Sequence, residues 1–538
     1  MGRILASLVI FVTFLGMTGL RSDLSVRAQD QGGGWTAFTD ISNTPTASTY
    51  PCIVADSSGN VHVLWSEDVG GKTRSISFGA DGAPALDARG KVINTLTDSG
   101  NTLYYARWDG KGWSQPVDVQ INVLGLVEYP QAAVDVHGEL HVIWVATEGQ
   151  NANLLYSHVP ADKAGLASNW STPAILAVSV LYAYYPADIV ADRSGGLHVI
   201  YSQIGPDPGA YVINSYDGGI TWSAPIELYA TFDTAGRQDG VSPVRMLGDS
   251  AGRLHAMWSV YGPDGNGKVI LYTQSRDGGR TWSKPFAASV WQPGMYEVDW
   301  LTAGVSGDEI HLVWEGNERV AALYERISRD GGSTWDEPHR ILTSLVGENG
   351  YADLVTDSAG HLHQLVVKRG DPDSLTNGIW YTSWQNNRWL DPILAGTAYD
   401  ALYSMLNTIT AASLKEMLQG TLTGNGLRYQ RSVIVNGNEL FVVVVNEWDG
   451  EIYSSHTVLS APRIESKPYP AAPAATLAPA TAAATSGLPT ALPIAPVSQS
   501  LSINRNETGD PILISSLAVM ALVAVILARI VIGHIKKS

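Results

Sequence analysis

One cysteine, Cys52, stands in 538 residues. A single thiol excludes internal disulfides and any cysteine-built zinc cage, so whatever this chain folds into is held by its core and by its topology. Its expected place is that of a small buried apolar side chain. Basic residues are also scarce: 34 Lys and Arg face 51 Asp and Glu, a formal net charge of −17. Nucleic acid is thereby excluded as the expected partner, because phosphate binding needs clustered cations. Charged residues make up only 16% of the chain, and what replaces them is Gly (54), Tyr (23) and Trp (17). That balance suits an exported all-β protein.

Long apolar runs occur at the two ends only. Arg3 precedes an apolar stretch from Ile4 to about Leu20, and Val26-Arg27-Ala28 offers small residues where signal peptidase cuts. Residues 1–28 read as a signal peptide, with an uncleaved anchor as the alternative; either would export the remainder of the chain. Ile512 to Ile532 has the length a bilayer requires, Arg529 lies near its end, and Lys536 and Lys537 come after it. These cations belong on the cytoplasmic side, which makes 512–532 a transmembrane helix, 533–538 a cytoplasmic tail and the bulk of the chain extracellular. Residues 461–511 are rich in Ala, Pro and Thr, too poor in large apolar side chains to fold, and read as an extended stalk. Asn506-Glu-Thr508 is a glycosylation sequon within it.

Between these segments one phrase recurs: Asp, a Gly turn, then His and alternating apolar residues ending in an aromatic. It runs Asp56 to Trp65 with His62, Asp135 to Trp144 with His141, Asp192 to Tyr201 with His198, and Asp249 to Trp258 with His255. Weaker copies surround His311, His363 and Phe441, which makes seven. Each is succeeded by a second alternating stretch, then a turn and a Trp-Ser-x-Pro-like strand. Four short strands per unit of roughly 40 to 60 residues are the signature of propeller blades. An all-β, seven-bladed propeller over 35–458 is therefore predicted. The seventh unit lacks an outer strand, and the orphan Trp35 to Asp40 is predicted to supply it, closing the ring without an exposed sheet edge. The repeated histidines are spread around the ring by that arrangement; they are expected to be blade-packing residues, and no metal site or cofactor is expected.

Three turns match one another in register: Ser215-Tyr-Asp217-Gly-Gly-Ile-Thr-Trp222, Ser275-Arg-Asp277-Gly-Gly-Arg-Thr-Trp282 and Ser328-Arg-Asp330-Gly-Gly-Ser-Thr-Trp335. They resemble the Asp boxes, or bacterial neuraminidase repeats, of the sialidase superfamily. The resemblance implies structural turns lying opposite the functional face, and sialidase-like chemistry as one option: an arginine cluster for a carboxylate, a Tyr nucleophile activated by Glu, and an Asp acid/base. The family's six blades are the alternative to the seven counted here, and Tyr50-Pro-Cys-Ile stands where the family has Phe/Tyr-Arg-Ile-Pro. Three functions stay open: noncatalytic recognition of a glycan, glycoconjugate or surface protein; an exo-α-sialidase; or another glycoside hydrolase or lyase.

Binding is expected on the face opposite the Asp-Gly turns, where two long connections, Glu67 to Thr102 and Leu394 to Leu427, also lie. Within the second, 400–419 has helical apolar spacing, read either as a lid or as a rim insertion. Ten residues before each repeated His, or before Phe441, stand Cys52, Gln131, Asp188, Arg245, Leu301, Asp353 and Arg431, a position predicted to face the central channel. Tyr50, Tyr129, Tyr351 and Tyr429 lie two residues earlier. The position admits two readings. Asp188 with Arg245 and Asp353 with Arg431 form structural ion pairs between blades; or Arg245, Arg431 and Gln131 bind a sugar on which Tyr129, Tyr351 and Tyr429 stack, with Asp188 or Asp353 as acid/base.

Overall fold

The computed structural model describes residues 34–467 except 45, 70–74, 77–93, 96–100, 122–125, 149–150, 182–184, 205–206, 232–239, 263–266, 291–297, 318–320, 346–347, 370–377, 397–426 and 447–449. The signal peptide, the helical stretch 400–419, most of the stalk and the span 512–532 lie outside them. Among the described residues no helix is long and apolar enough to cross a membrane.

Among the described residues seven antiparallel sheets of four or five strands are present, each with its first three strands in sequence order, besides a two-stranded pair of Ser75–Ile76 and Asn94–Thr95. Their first strands are Ser48–Ala55, Val127–Val134, Ala187–Ala191, Gly240–Gly248, Val298–Ser306, Glu348–Thr356 and Leu427–Val435. Each first strand touches the next, and that of blade seven touches that of blade one. The fold is a seven-bladed propeller, not the six-bladed alternative. Closure occurs as the orphan strand requires: Thr39–Asp40 pairs with Glu451–Val458, Thr39 opposite Ser454, and forms the outer edge of blade seven. Flanking bonds from Thr36 N to His456 O and from Ile41 N to Ile452 O, both 2.9 Å, extend the seam.

The recurring phrase has one physical purpose. In blade one His62 is fully buried, its Nε2 3.0 Å from Asp56 Oδ2 and its Nδ1 2.8 Å from Tyr105 Oη. The same Asp, His, Tyr set recurs around His141, His255 and His363, with Tyr156, Tyr272 and Tyr381 at 2.7 to 2.8 Å. Each triad ties the first hairpin turn to the third strand; the imidazoles of His62, His255 and His363 satisfy both nitrogens, while His141 Nε2 stands 3.5 Å from Asp135 Oδ2 without a hydrogen bond among the described residues. Blade three uses Asn214 at 2.7 Å, and blade five replaces the partners with Glu309 and Glu325. Among the described residues no group of His, Cys, Asp or Glu converges as a metal site.

The Asp-Gly-Gly turns lock onto these triads from the next blade. Asp217 Oδ1 accepts Thr221 N at 2.9 Å and Oδ2 accepts Thr221 Oγ1 at 2.6 Å, bonds that hold its carboxyl down at about 2. Gly219, at φ +86°, sits so close to the preceding blade's Tyr156 hydroxyl that a Cβ would fall 1.8 Å from it; Gly332 stands likewise against Tyr272. The box tryptophans complete the contact, Trp222 edge-on to Tyr156 at 5.2 Å and Trp335 edge-on to Tyr272 at 4.9 Å. These turns are structural in this geometry.

Composition places residues 461–467 in the stalk, yet they run along the ring. Ile464 N donates to Asn436 O at 2.8 Å, Lys467 N to Ser57 O at 2.9 Å, and Ser58 Oγ to Lys467 O at 3.2 Å, while Ser358 Oγ donates to Pro462 O. The segment thus straps the first-hairpin turns of blades six, seven and one across the closure seam. A fragment ending at Lys467 should melt several degrees above one ending at Ser460, since lost hydrogen bonds contribute about 1 kcal/mol each. Equal melting by calorimetry would show that the strap contributes nothing.

Candidate functional site at the ring centre

The first strands do not run straight into the channel. Pairing shifts between Thr49 and Cys52, between Glu128 and Gln131, and between Arg428 and Arg431, each shift marking a β-bulge. At these bulges Tyr50, Tyr129 and Tyr429 adopt φ of 50 to 54°, and Tyr185 in blade three adopts 49°. Left-handed backbone is uncommon for aromatic residues; here three bulges re-aim Tyr50, Tyr129 and Tyr429 toward the axis, and the turn before Ala187–Ala191 does the same for Tyr185. Tyr50 lies 4.2 Å from Tyr129 and 4.6 Å from Tyr429 between ring centroids. Tyr185 is 6.4 Å from both Tyr50 and Tyr429, so rings of non-neighbouring blades meet across the channel. All four rings are buried, which makes them a plug held by tilted and edge-on contacts.

Two guanidinium groups close on this plug. Arg431 from blade seven lies 4.1 Å over the Tyr185 ring, and Arg245 from blade four 5.2 Å from it. Arg431 is 8% exposed; its Nη1 donates to Gln430 O at 3.0 Å, while Nε and Nη2 are buried without a hydrogen-bond partner among the described residues. The Tyr185 hydroxyl is likewise buried and unpaired. Burial first, and then the neighbouring Arg431, pull Arg245 below the usual guanidinium range.

One of the two predicted ion pairs forms, Asp188 with Arg245, and both carboxylates also bind backbone. Asp188 Oδ2 accepts Met246 N at 3.0 Å, and Asp353 Oδ2 accepts Ser432 N at 2.6 Å and Ser432 Oγ at 2.8 Å. Each aspartate therefore staples its blade to the backbone of the next, at the residue just after the arginine. Asp188 approaches Arg245 only to 4.0 Å, and among the described residues no ion pair joins Asp353 to Arg431. Burial raises the Asp188 carboxyl above its ordinary range. Burial likewise pushes the Cys52 thiol up to about 12, so it is inert as a nucleophile.

Of the sequence candidates, Arg245, Arg431, Tyr129 and Tyr429 gather at the centre. Gln131 is buried and its Nε2 donates to its own neighbour, Pro130 O, at 2.6 Å. The side chain of Tyr351 lies outside the described residues. Leu301 is a correction: blade five has a shorter first turn, Ser306 opposite Glu309, so Thr302 pairs with Val313 and takes the place assigned to Leu301. Tyr185 is the residue that sequence reasoning missed, because it precedes Asp188 by three residues rather than two. The Tyr-Pro pair it shares with Tyr50-Pro51 and Tyr129-Pro130 was the available signal.

No family model matches the chain, and no curated protein is detectably similar. Similar solved structures include a protein of unknown function from Dyadobacter fermentans, 14% identical over 80% of this chain and 98% of that one, TM-score 0.44. A polysaccharide lyase, an ulvan lyase, is 10% identical over 80% and 96%, TM-score 0.48. The NanB sialidase from Streptococcus pneumoniae is 13% identical over 78% and 68%, TM-score 0.40. Likeness at this level carries no inference about activity.

Proposed function

We propose that this chain is an exported, membrane-tethered propeller that recognises anionic glycans through Arg245 and Arg431. The observation that carries this reading is the buried Arg431 guanidinium with two nitrogens lacking hydrogen-bond partners among the described residues, beside a second arginine and an unpaired tyrosine hydroxyl. Buried charge without a partner is costly, and a carboxylate or sulfate on a sugar would satisfy both donors and relieve the repulsion between the two arginines. The resemblance of the three Asp-Gly-Gly turns to sialidase repeats supports sugar as the ligand class. Lys467, the last described residue, lies beside the Ser57 turn, on the opposite face from the start of the first strands. A tether attached there leaves the loop face free to meet a glycan.

Catalysis is the second reading, because a carboxyl raised by burial, as Asp188 is, suits a general acid. Recognition is favoured over it since both aspartates are engaged by the backbone of the next blade. The test is a glycan array carrying sialylated, uronate, sulfated and neutral sugars, run beside hydrolysis of a fluorogenic sialoside. Arg431→Gln and Arg245→Gln should weaken binding to acidic glycans about a hundredfold, the scale of two lost charge-assisted hydrogen bonds. Sialoside turnover by the unaltered chain would overturn the noncatalytic reading. Variants that unfold early yet bind normally once folded would overturn the assignment of the arginines.

A further inference from the structure

The blade-one counterpart of the Asp-Gly-Gly turn is shorter: Asp109 to Trp113 spans four positions, whereas Asp217 to Trp222 spans five. In two of the three full turns Trp222 and Trp282 donate Nε1–H to their own Gly219 and Gly279 carbonyls at 3.2 and 3.1 Å, while Trp335 Nε1 finds no partner among the described residues. Trp113 makes no such bond among the described residues and is only half-buried, as is Trp108, whose ring lies 5.9 Å from it.

The tyrosine that Trp222 and Trp335 pack on is replaced as well, and Trp113 meets Phe441 of blade seven edge-on at 6.3 Å instead. Tyr105, Tyr156, Tyr272 and Tyr381 each stand opposite the residue two after the repeated His. In blade seven that register position, opposite Val443, holds Ser454. Its hydroxyl is buried, finds no partner among the described residues, and lines a groove of about 380 Å³ between blades seven and one. Trp108 and Trp113 wall this groove, and the exposed Thr36, Asn43 and Gln115 rim it. No Lys or Arg lines it, and burial lowers the pKa of His456, which keeps that ring neutral near pH 7.

We propose that this groove is a second ligand site, taking one neutral pyranose residue in the space a tyrosine ring fills in four other blades. Shape and charge both suit such a ring. A six-membered sugar ring has the thickness of the missing phenol, its C–H faces suit indole faces, and its hydroxyls can meet the polar rim of Thr36, Asn43 and Gln115. The absence of cationic lining separates it from the arginine pair at the ring centre, and it stands or falls independently of that site.

Tryptophan fluorescence of the full chain, titrated with methyl hexopyranosides and neutral disaccharides, tests this. Saturable quenching with Kd on the order of millimolar is expected for a single sugar residue in an open groove. Trp113→Ala should weaken it at least about tenfold. Ser454→Tyr restores the residue the other blades use, should keep or raise the melting temperature, and should abolish quenching. Arg431→Gln should leave it unchanged. The proposal is overturned if no neutral sugar quenches saturably, or if Trp113→Ala and whichever Ser454→Tyr protein folds both bind as the parent does. It is also overturned if a synthetic peptide of residues 468–490 occupies the groove and the sugars do not.

Discussion

Removing residues 34–42 should abolish the cooperative thermal transition of the propeller near physiological temperature. Those residues bury Trp35, Phe38 and Ile41, at 8%, 7% and 3% exposure, and burial of such side chains contributes about 1.5–3 kcal/mol each. Their loss would also strip the hydrogen bonds along Glu451–Val458 and leave that strand as an open edge. The sum approaches the whole net stability expected of a folded domain. Trp35 also reaches past its own blade, with its ring 5.8 Å from Tyr381 of blade six, so the deletion loosens two blades. No disulfide is present to hold the ends in register, since Cys52 is alone. Calorimetry on the deletion beside the parent decides the matter: a melting temperature within a few degrees of the parent would mean that the ring is held by its first strands alone. Trp35→Ala is a graded version, expected to cost about 3–5 kcal/mol as other buried Trp truncations do.

Blade number and closure were legible because each unit repeats a hydrogen-bonding device whose residues lie close in sequence: Asp56 and His62 share a hairpin, and Asp217 and Thr221 share a turn. What the sequence left open depends on contacts between blades. Whether Asp188 would face Arg245 or the Met246 amide is decided by the stagger of two first strands, and no local pattern encodes that stagger. A one-residue change in turn length moved the ring position of blade five from Leu301 to Thr302, although the repeat spacing counted from His311 gave no warning. Tyr185 escaped for a related reason, as an extra residue separates it from Asp188 while its left-handed backbone still brings its ring against Tyr50 and Tyr429. The tyrosines were expected to present faces to a sugar; Tyr129 and Tyr429 are buried against Tyr50. Degenerate repeats proved as informative as regular ones. The short turn before Trp113 and the serine at 454 are both departures from the pattern, and they meet at the same groove.

Blade five carries the other departure, and the replacement Glu325→Gln should produce a large and pH-dependent loss of stability. Glu325 occupies the place of the triad tyrosine, is fully buried, and has Oε1 2.6 Å from His311 Nδ1. Trp389 Nε1 donates to the same oxygen at 2.9 Å, and His339 Nε2 lies 3.3 Å from Oε2. His311 Nε2 is 2.7 Å from Glu309 Oε1, so a buried imidazole sits between two carboxylates. Burial alone would lower the His311 pKa; the bonds to Glu309 and Glu325 outweigh it and raise the group above its ordinary value. Burial would raise Glu325, and the His311 bond outweighs that to lower it. A raised histidine contributes stability that is full below its unfolded value of about 6.5 and is lost as pH climbs through the folded value. A lowered carboxylate contributes stability present above about 4.5 and lost as pH falls through its folded value. The pair is therefore strongest between those limits. His255 and His363 act in the opposite sense, since burial lowers both, and their contribution declines as pH drops below about 6.5. Gln in place of Glu325 keeps an acceptor but removes the charge that holds His311 protonated. Breaking a buried charge pair from one side costs about 3–5 kcal/mol, and this deficit should be greatest near pH 6. As pH climbs through the raised folded value the parent itself loses the His311 proton, so the two proteins should converge. Melting curves at half-unit steps from pH 5 to pH 9 would read this directly, and a deficit that is flat or widens with pH would mean that His311 is neutral in the folded ring.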